Sequence, residues 1–231
     1  MSGHLRIRRA LLLLAGLLVA GGLWQLGTAG WMAGKAALAQ ILLERAWSAT
    51  LADGRPARPW PWADGYPVAR LEVPDLGESL LVLDRANPRN LAFGPGRVAG
   101  SAPFGGHGLT IVAGHRDSHF AFLDALAPGE RLRLQSPDGR WRDYRVVDME
   151  VLDQPRLPVP EGMDGLALVT CWPLDALRPG GAQRYVVLAE PIGRTPAELA
   201  GRFPAPAVLQ QASLAGIPAS IPAGDPLLLP R

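Results

Sequence analysis

The chain has 231 residues, 48% of them hydrophobic, with a formal net charge of +2 and a single cysteine. One cysteine excludes an intramolecular disulfide and a cysteine-rich metal site. Arg6, Arg8 and Arg9 lie in a first stretch of nine residues that holds no acid, so without it the remainder is at −1. No basic field is left for nucleic acid.

Residues 1–9 form a basic tip, and residues 10–34 then run for 25 positions without Asp, Glu, Lys or Arg, with Trp24 and Trp31 toward the far end. As a helix this stretch reaches about 37 Å, enough to cross a hydrocarbon layer of about 30 Å with some tilt. Three arginines precede it and only Lys35 closes it. That asymmetry predicts a membrane signal anchor, its N-terminus cytoplasmic and the rest exported to the extracytoplasmic side. A cleaved signal peptide, suggested by Ala37-Leu38-Ala39, is the competing reading, but its apolar core is normally 7 to 15 residues. A buried helix of a soluble protein is the other alternative.

Residues 35–67 divide into KAALAQILLERAWSATLA, a short helix or stalk, and DGRPARPWPWADGYP, an irregular linker around Trp60 and Trp62. The aromatics of that linker either tuck under the domain or sit near lipid headgroups. Residues 68–192 make one globular domain. From 193 to 231 Pro, Ala, Gly and Leu predominate, a poor core builder expected to be extended or partly disordered, with VLQQASLAGIP as a candidate brief helix.

Within 68–192 the periodicity is that of strands: VARLEV, SLLVL, LTIVA, ERLRLQ, WRDYRVVDMEVL, LALVT and RYVVLAE. Seven short strands with few helices predict an all-β domain closed as an antiparallel or mixed barrel, because closure removes exposed edges. The best internal helical piece is SHFAFLDALAPG, with Phe120, Leu123 and Ala127 on one face and Pro128-Gly129 as the stop.

Three polar residues share one predicted context. Cys171 ends the apolar run LALVT, His115 follows LTIVAG, and Arg184 opens RYVV. A thiolate is a strong nucleophile when a histidine or arginine favours it, an imidazole can protonate a leaving amine, and a guanidinium can steady an oxyanion. The plainer readings are a buried structural cysteine and an ordinary capping histidine. A zinc site would have to draw on His115, His119 and Asp117 or His107, yet HRDSH lacks the HExxH pattern. Neither GGHG nor the acidic residues form a calcium set, so no metal and no cofactor is expected. His4 lies in the basic tip.

The strings NLAFGPGRVAGSAPFGGHGLTIVAGHRDSHFAFLDAL, LALVTCWP and GGAQRYVVLAEPI resemble the sortases, membrane-anchored cysteine transpeptidases, and are most similar to the class D-like and proteobacterial branch. The resemblance spans about residues 68–192 and runs in the order His, Cys, Arg. It implies a closed eight-stranded sortase barrel and puts the catalytic roles on His115, Cys171 and Arg184. Thr170 and Trp172 would contribute to substrate binding. It further implies attack by Cys171 on the threonine carbonyl of an LPxTG-like signal at the C-terminal end of a substrate protein, a thioacyl intermediate, and transfer to an amine-bearing acceptor. With water as acceptor the same residues would make a cysteine endopeptidase. A noncatalytic envelope binding module is the reading outside enzymology.

Overall fold

In the computed structural model the described residues are 2–153, 156–160, 163–176, 181–193 and 209–213. The first element, α1 (Ser2–Asp53), is one uninterrupted helix of 52 residues, about 78 Å long at the usual rise. Its apolar part is long and apolar enough to cross a membrane, with a mean hydropathy of 1.8 over a window that is wholly unburied. This N-terminal helix is consistent with a membrane anchor. Its far end behaves differently. Ala39, Leu43, Ala46, Trp47 and Thr50 are buried, a spacing of three and four that makes one stripe. The stripe packs on Leu81 and Leu83, Trp47 Nε1 donates to Gln135 Oε1 at 3.3 Å, and Arg70 pairs with Glu44. The helix end is therefore part of the domain's outer wall.

The strands are β1 (Pro67–Val73), β2 (Glu78–Leu83), β3 (Gly96–Arg97), β4 (Leu109–Ala113), β5 (Arg131–Gln135), β6 (Trp141–Leu152), β7 (Arg156–Pro160), β8 (Gly165–Cys171), β9 (Arg184–Pro191) and β10 (Leu209–Ser213). Eight of them close a barrel in the order β1-β2-β3-β4-β8-β9-β6-β5, while β7 and β10 pair with each other. The β2–β3 and β4–β8 pairs are parallel. In β1 the apolar positions alternate with half-exposed ones, as expected of a strand with one wet face.

β8 has both faces covered. Leu166 and Leu168 join the inner core with Leu71, Leu134 and Val187. Ala167 and Val169, facing the other way, pack with Ile111, Ala113 and Val186 in a second cluster. Burial on both faces is why LALVT reads as a continuous apolar run rather than an alternating one.

Two local expectations are corrected. The segment SHFAFLDALAPG forms no α-helix; a 3₁₀ helix covers Ala121–Ala125, with Phe120, Leu123 and Leu126 buried and Ala127 exposed. Phe122 is buried with them, and so short a turn between Phe120 and Leu126 cannot repay the nucleation of an α-helix. In the C-terminal extension, Leu209–Ser213 is a strand, not a helix, antiparallel to Arg156–Pro160. An isolated helix as short as VLQQASLAGIP does not repay its nucleation, whereas a waiting strand offers a partner for each of residues 209–213.

Candidate active site

The register of three neighbouring strands assembles the site. In β8 and β9 Cys171 stands directly opposite Arg184. In β4 and β8 the last pair is Ala113 with Val169. One step further Gly114 N donates to Val169 O at 3.1 Å and Gly114 O accepts from Thr170 Oγ1 at 2.8 Å, so His115 leaves β4 at the level of Cys171. Adjacent strands lie about 4.8 Å apart, which puts the three backbones side by side in one row. Cys171 is two positions from Val169 and Arg184 two from Val186, both in the second cluster, so alternation within β8 and β9 puts Cys171 and Arg184 on one face.

Each side chain sits in a distinct setting. Cys171 is a free thiol of intermediate exposure. His115 is held below the usual imidazole value by burial, opposed by the carboxylate of Asp117, so it is neutral at pH 7. Arg184 is only 4% exposed. Its Nη1 donates to the carbonyls of Gly181 at 2.7 Å and Gln183 at 2.8 Å, while its buried Nε has no hydrogen-bond partner among the described residues.

The two residues expected to bind substrate are placed differently. Thr170 is fully buried, its hydroxyl given to Gly114. Trp172 is half-buried, its ring stacked on Tyr185 with centroids 5.5 Å apart, and its backbone N–H donates to Gln183 O at 3.2 Å. Burial raises the Tyr185 phenol above its ordinary value, with Asp124 adding to the effect.

Sequence reasoning missed the struts around His115. Arg116, 7% exposed, donates from Nη2 to Ala176 O at 3.0 Å, tying the loop after β4 to the segment after Cys171. Phe120 N donates to His115 O at 2.8 Å. The Phe120 ring packs so closely on Gly114 that an added Cβ would lie 2.8 Å from it. The glycine preceding His115 was the one signal for this close approach. His119 sits close enough to His115 to sense its charge; burial first, then His115, pushes its imidazole down. His107 lies at the other end of β4, 3.4 Å from Asp164. Among the described residues no three His, Cys, Asp or Glu side chains are grouped to hold a metal ion.

Sortase A from Corynebacterium diphtheriae superposes with a TM-score of 0.52 at 20% identity, covering 69% of this chain and 86% of that one, a likeness of fold. Sortase C1 from Streptococcus agalactiae aligns at 22% identity and a TM-score of 0.48 over 56% of this chain and 69% of its own. A Clostridium perfringens sortase D5 transpeptidase does so at 20% and 0.48, over 55% and 80%. A search of curated proteins finds no match. The profile of the sortase domain matches residues 71–192, from within β1 to just past the end of β9, which is more than half the chain and the same span that closes the barrel and brings Cys171 beside Arg184; the protein belongs to the sortase family.

Proposed function

We propose that the protein is a membrane-anchored cysteine transpeptidase of the class D-like, proteobacterial type. It cleaves an LPxTG-like signal after its threonine and passes the acyl group to an amine. Transpeptidase or acyltransferase activity in general follows from the family. The cysteine mechanism rests chiefly on the row His115, Cys171, Arg184 across β4, β8 and β9, and the branch and sorting signal rest on the sequence strings around those residues.

In the proposed cycle the neutral imidazole of His115 takes the thiol proton of Cys171 and the thiolate attacks the threonine carbonyl. The tetrahedral oxyanion accepts from the Nε–H of Arg184, uncovered as the substrate enters, on a guanidinium already held by the Gly181 and Gln183 carbonyls. The imidazolium N–H then protonates the leaving amine, and a thioester remains on Cys171. An incoming amine gives its proton to His115, attacks the thioester and expels the thiolate. Trp172 and Tyr185 wall the groove, and Thr170 acts through the position of Gly114. The arginine-rich tip stays in the cytoplasm and the barrel works on the far side of the membrane.

The test is intact-mass analysis of the purified chain with a threonine-containing sorting peptide. A mass gain equal to the acyl fragment is expected, absent in Cys171→Ala and Arg184→Ala variants that keep their circular dichroism. Product formed at the normal rate by Cys171→Ala would refute the mechanism. Acid product alone, whatever amine is supplied, would replace transpeptidation by hydrolysis.

A further inference from the structure

We infer that the edge of the domain formed by Trp60, Trp62, Arg89 and Phe93 rests on the lipid headgroups of the bilayer that holds α1. This rests on the anchoring just proposed. The position follows from helix geometry. The charge-free stretch ends at Gly34, and Ala39, 2% exposed, is the first helix residue buried by the domain. Five residues of rise are about 7.5 Å. The headgroup layer is itself about 5–7 Å thick on each side, so no aqueous gap separates the domain from the membrane.

The residues at that level are fixed by contacts with α1. Gln40 Nε2 donates to Phe93 O at 2.8 Å, and Trp60 packs edge-on against Phe93 with centroids 5.3 Å apart. The linker therefore turns back after Asp53 toward the membrane. Leu43, Trp60, Trp62, Arg89, Asn90 and Phe93 line a groove of about 240 Å³ there. Trp62 is 59% exposed, an indole left in the open where amphipathic aromatic rings favour the interface. Arg85 and Arg89 expose 61% and 64% of their side chains, and Arg58 is exposed beside them. Against these three stand the exposed Asp64 and the buried Asp84. The outward charge is positive, complementary to lipid phosphate.

The same frame orients the catalytic end. β1 starts at Pro67, paired with Leu83 of the groove, and passes Arg70, which meets Glu44, one helical turn further from the membrane than Gln40. β1 thus runs outward. β4 and β8 run the same way, being antiparallel to β3, which parallels β2. His115 and Cys171 therefore stand at strand ends directed away from the bilayer.

Spin-label accessibility tests this on the full chain in vesicles of phosphatidylcholine and phosphatidylglycerol, in a Cys171→Ala background. Labels are placed singly through Trp24→Cys, Trp62→Cys, Ala92→Cys and Asp75→Cys. The positions at 62 and 92 should collide several-fold more with a nickel-chelating lipid, and several-fold less with a water-soluble nickel chelate, than position 75 in the turn just past the outer end of β1. Position 24 should respond to neither and to oxygen strongly. If 24 is lipid-buried while 62 and 92 match 75, the headgroup contact is overturned and the anchor survives. If 24 is water-exposed, the anchor fails and the contact with it. Protection at 62 that grows with protein density at fixed lipid would mean that a second copy covers the face, which also overturns the inference.

Discussion

Replacing Thr170 by Val separates a residue that touches substrate from one that holds the site together. The two side chains have nearly the same shape, and Thr170 is fully buried, so the change removes essentially one hydrogen bond, the 2.8 Å donation from Oγ1 to Gly114 O. A buried carbonyl that loses its donor costs about 1–3 kcal/mol. At about 2 kcal/mol the melting temperature falls by about 4–8 °C for a chain of this size. Gly114 is bonded directly to His115, so the freed carbonyl also lets the imidazole drift, and misplacement of about 1 Å costs about a hundredfold in rate. The expectation is a lower melting temperature with a fall in kcat and little change in KM. Thr170→Ser, which keeps the hydroxyl, should recover most of both. Thermal unfolding and steady-state acyl transfer measure the two effects. A Thr170→Val enzyme with unchanged stability and a raised KM would refute the latch and return the hydroxyl to the substrate.

Three further outcomes are expected. Arg184→Lys should lower kcat/KM by about a hundredfold or more, because an ammonium cannot hold the Gly181 and Gln183 carbonyls and still present a third donor in the same plane; a peptide-cleavage assay reads this. Burial lowers the imidazoles of His115 and His119, so the acid limb of the kcat/KM profile should lie below pH 6.5. Asp117→Asn, which removes the one charge that raises His115, should move that limb lower still. Stability follows the same sign: the unfolded chain binds more protons near pH 6.5 and below, so stability present above that pH is lost as pH falls, which urea titrations across that range will show. Gly114→Ala places a methyl 2.8–3.0 Å from three carbons of the fully buried Phe120 ring. It should cost about 1–3 kcal/mol and activity with it, part of both returning in Gly114→Ala with Phe120→Leu.

What could be read from the sequence was whatever depends on neighbours along the chain. The alternation of VARLEV marks a half-wet strand, the continuous LALVT a strand covered twice, and 25 charge-free residues a helix fit for lipid, because each pattern reports the polarity around one short element. His115, Cys171 and Arg184 were legible as strand-end residues for that reason, and the sortase-like strings supplied their order. SHFAFLDALAPG and VLQQASLAGIP misled because both are too short for helix propensity to outweigh the pairing and packing open to residues 121–125 and 209–213. The tertiary structure alone decided the rest. Cys171 faces Arg184 across an antiparallel pair, but His115 reaches their row only through the parallel pairing of β4 with β8, more than fifty residues apart. Thr170 turned out to brace Gly114, Arg116 to reach Ala176, and residues 39–50 to form a wall of the domain. Register between distant strands is set by the common core they enclose, and no window of local sequence contains that core.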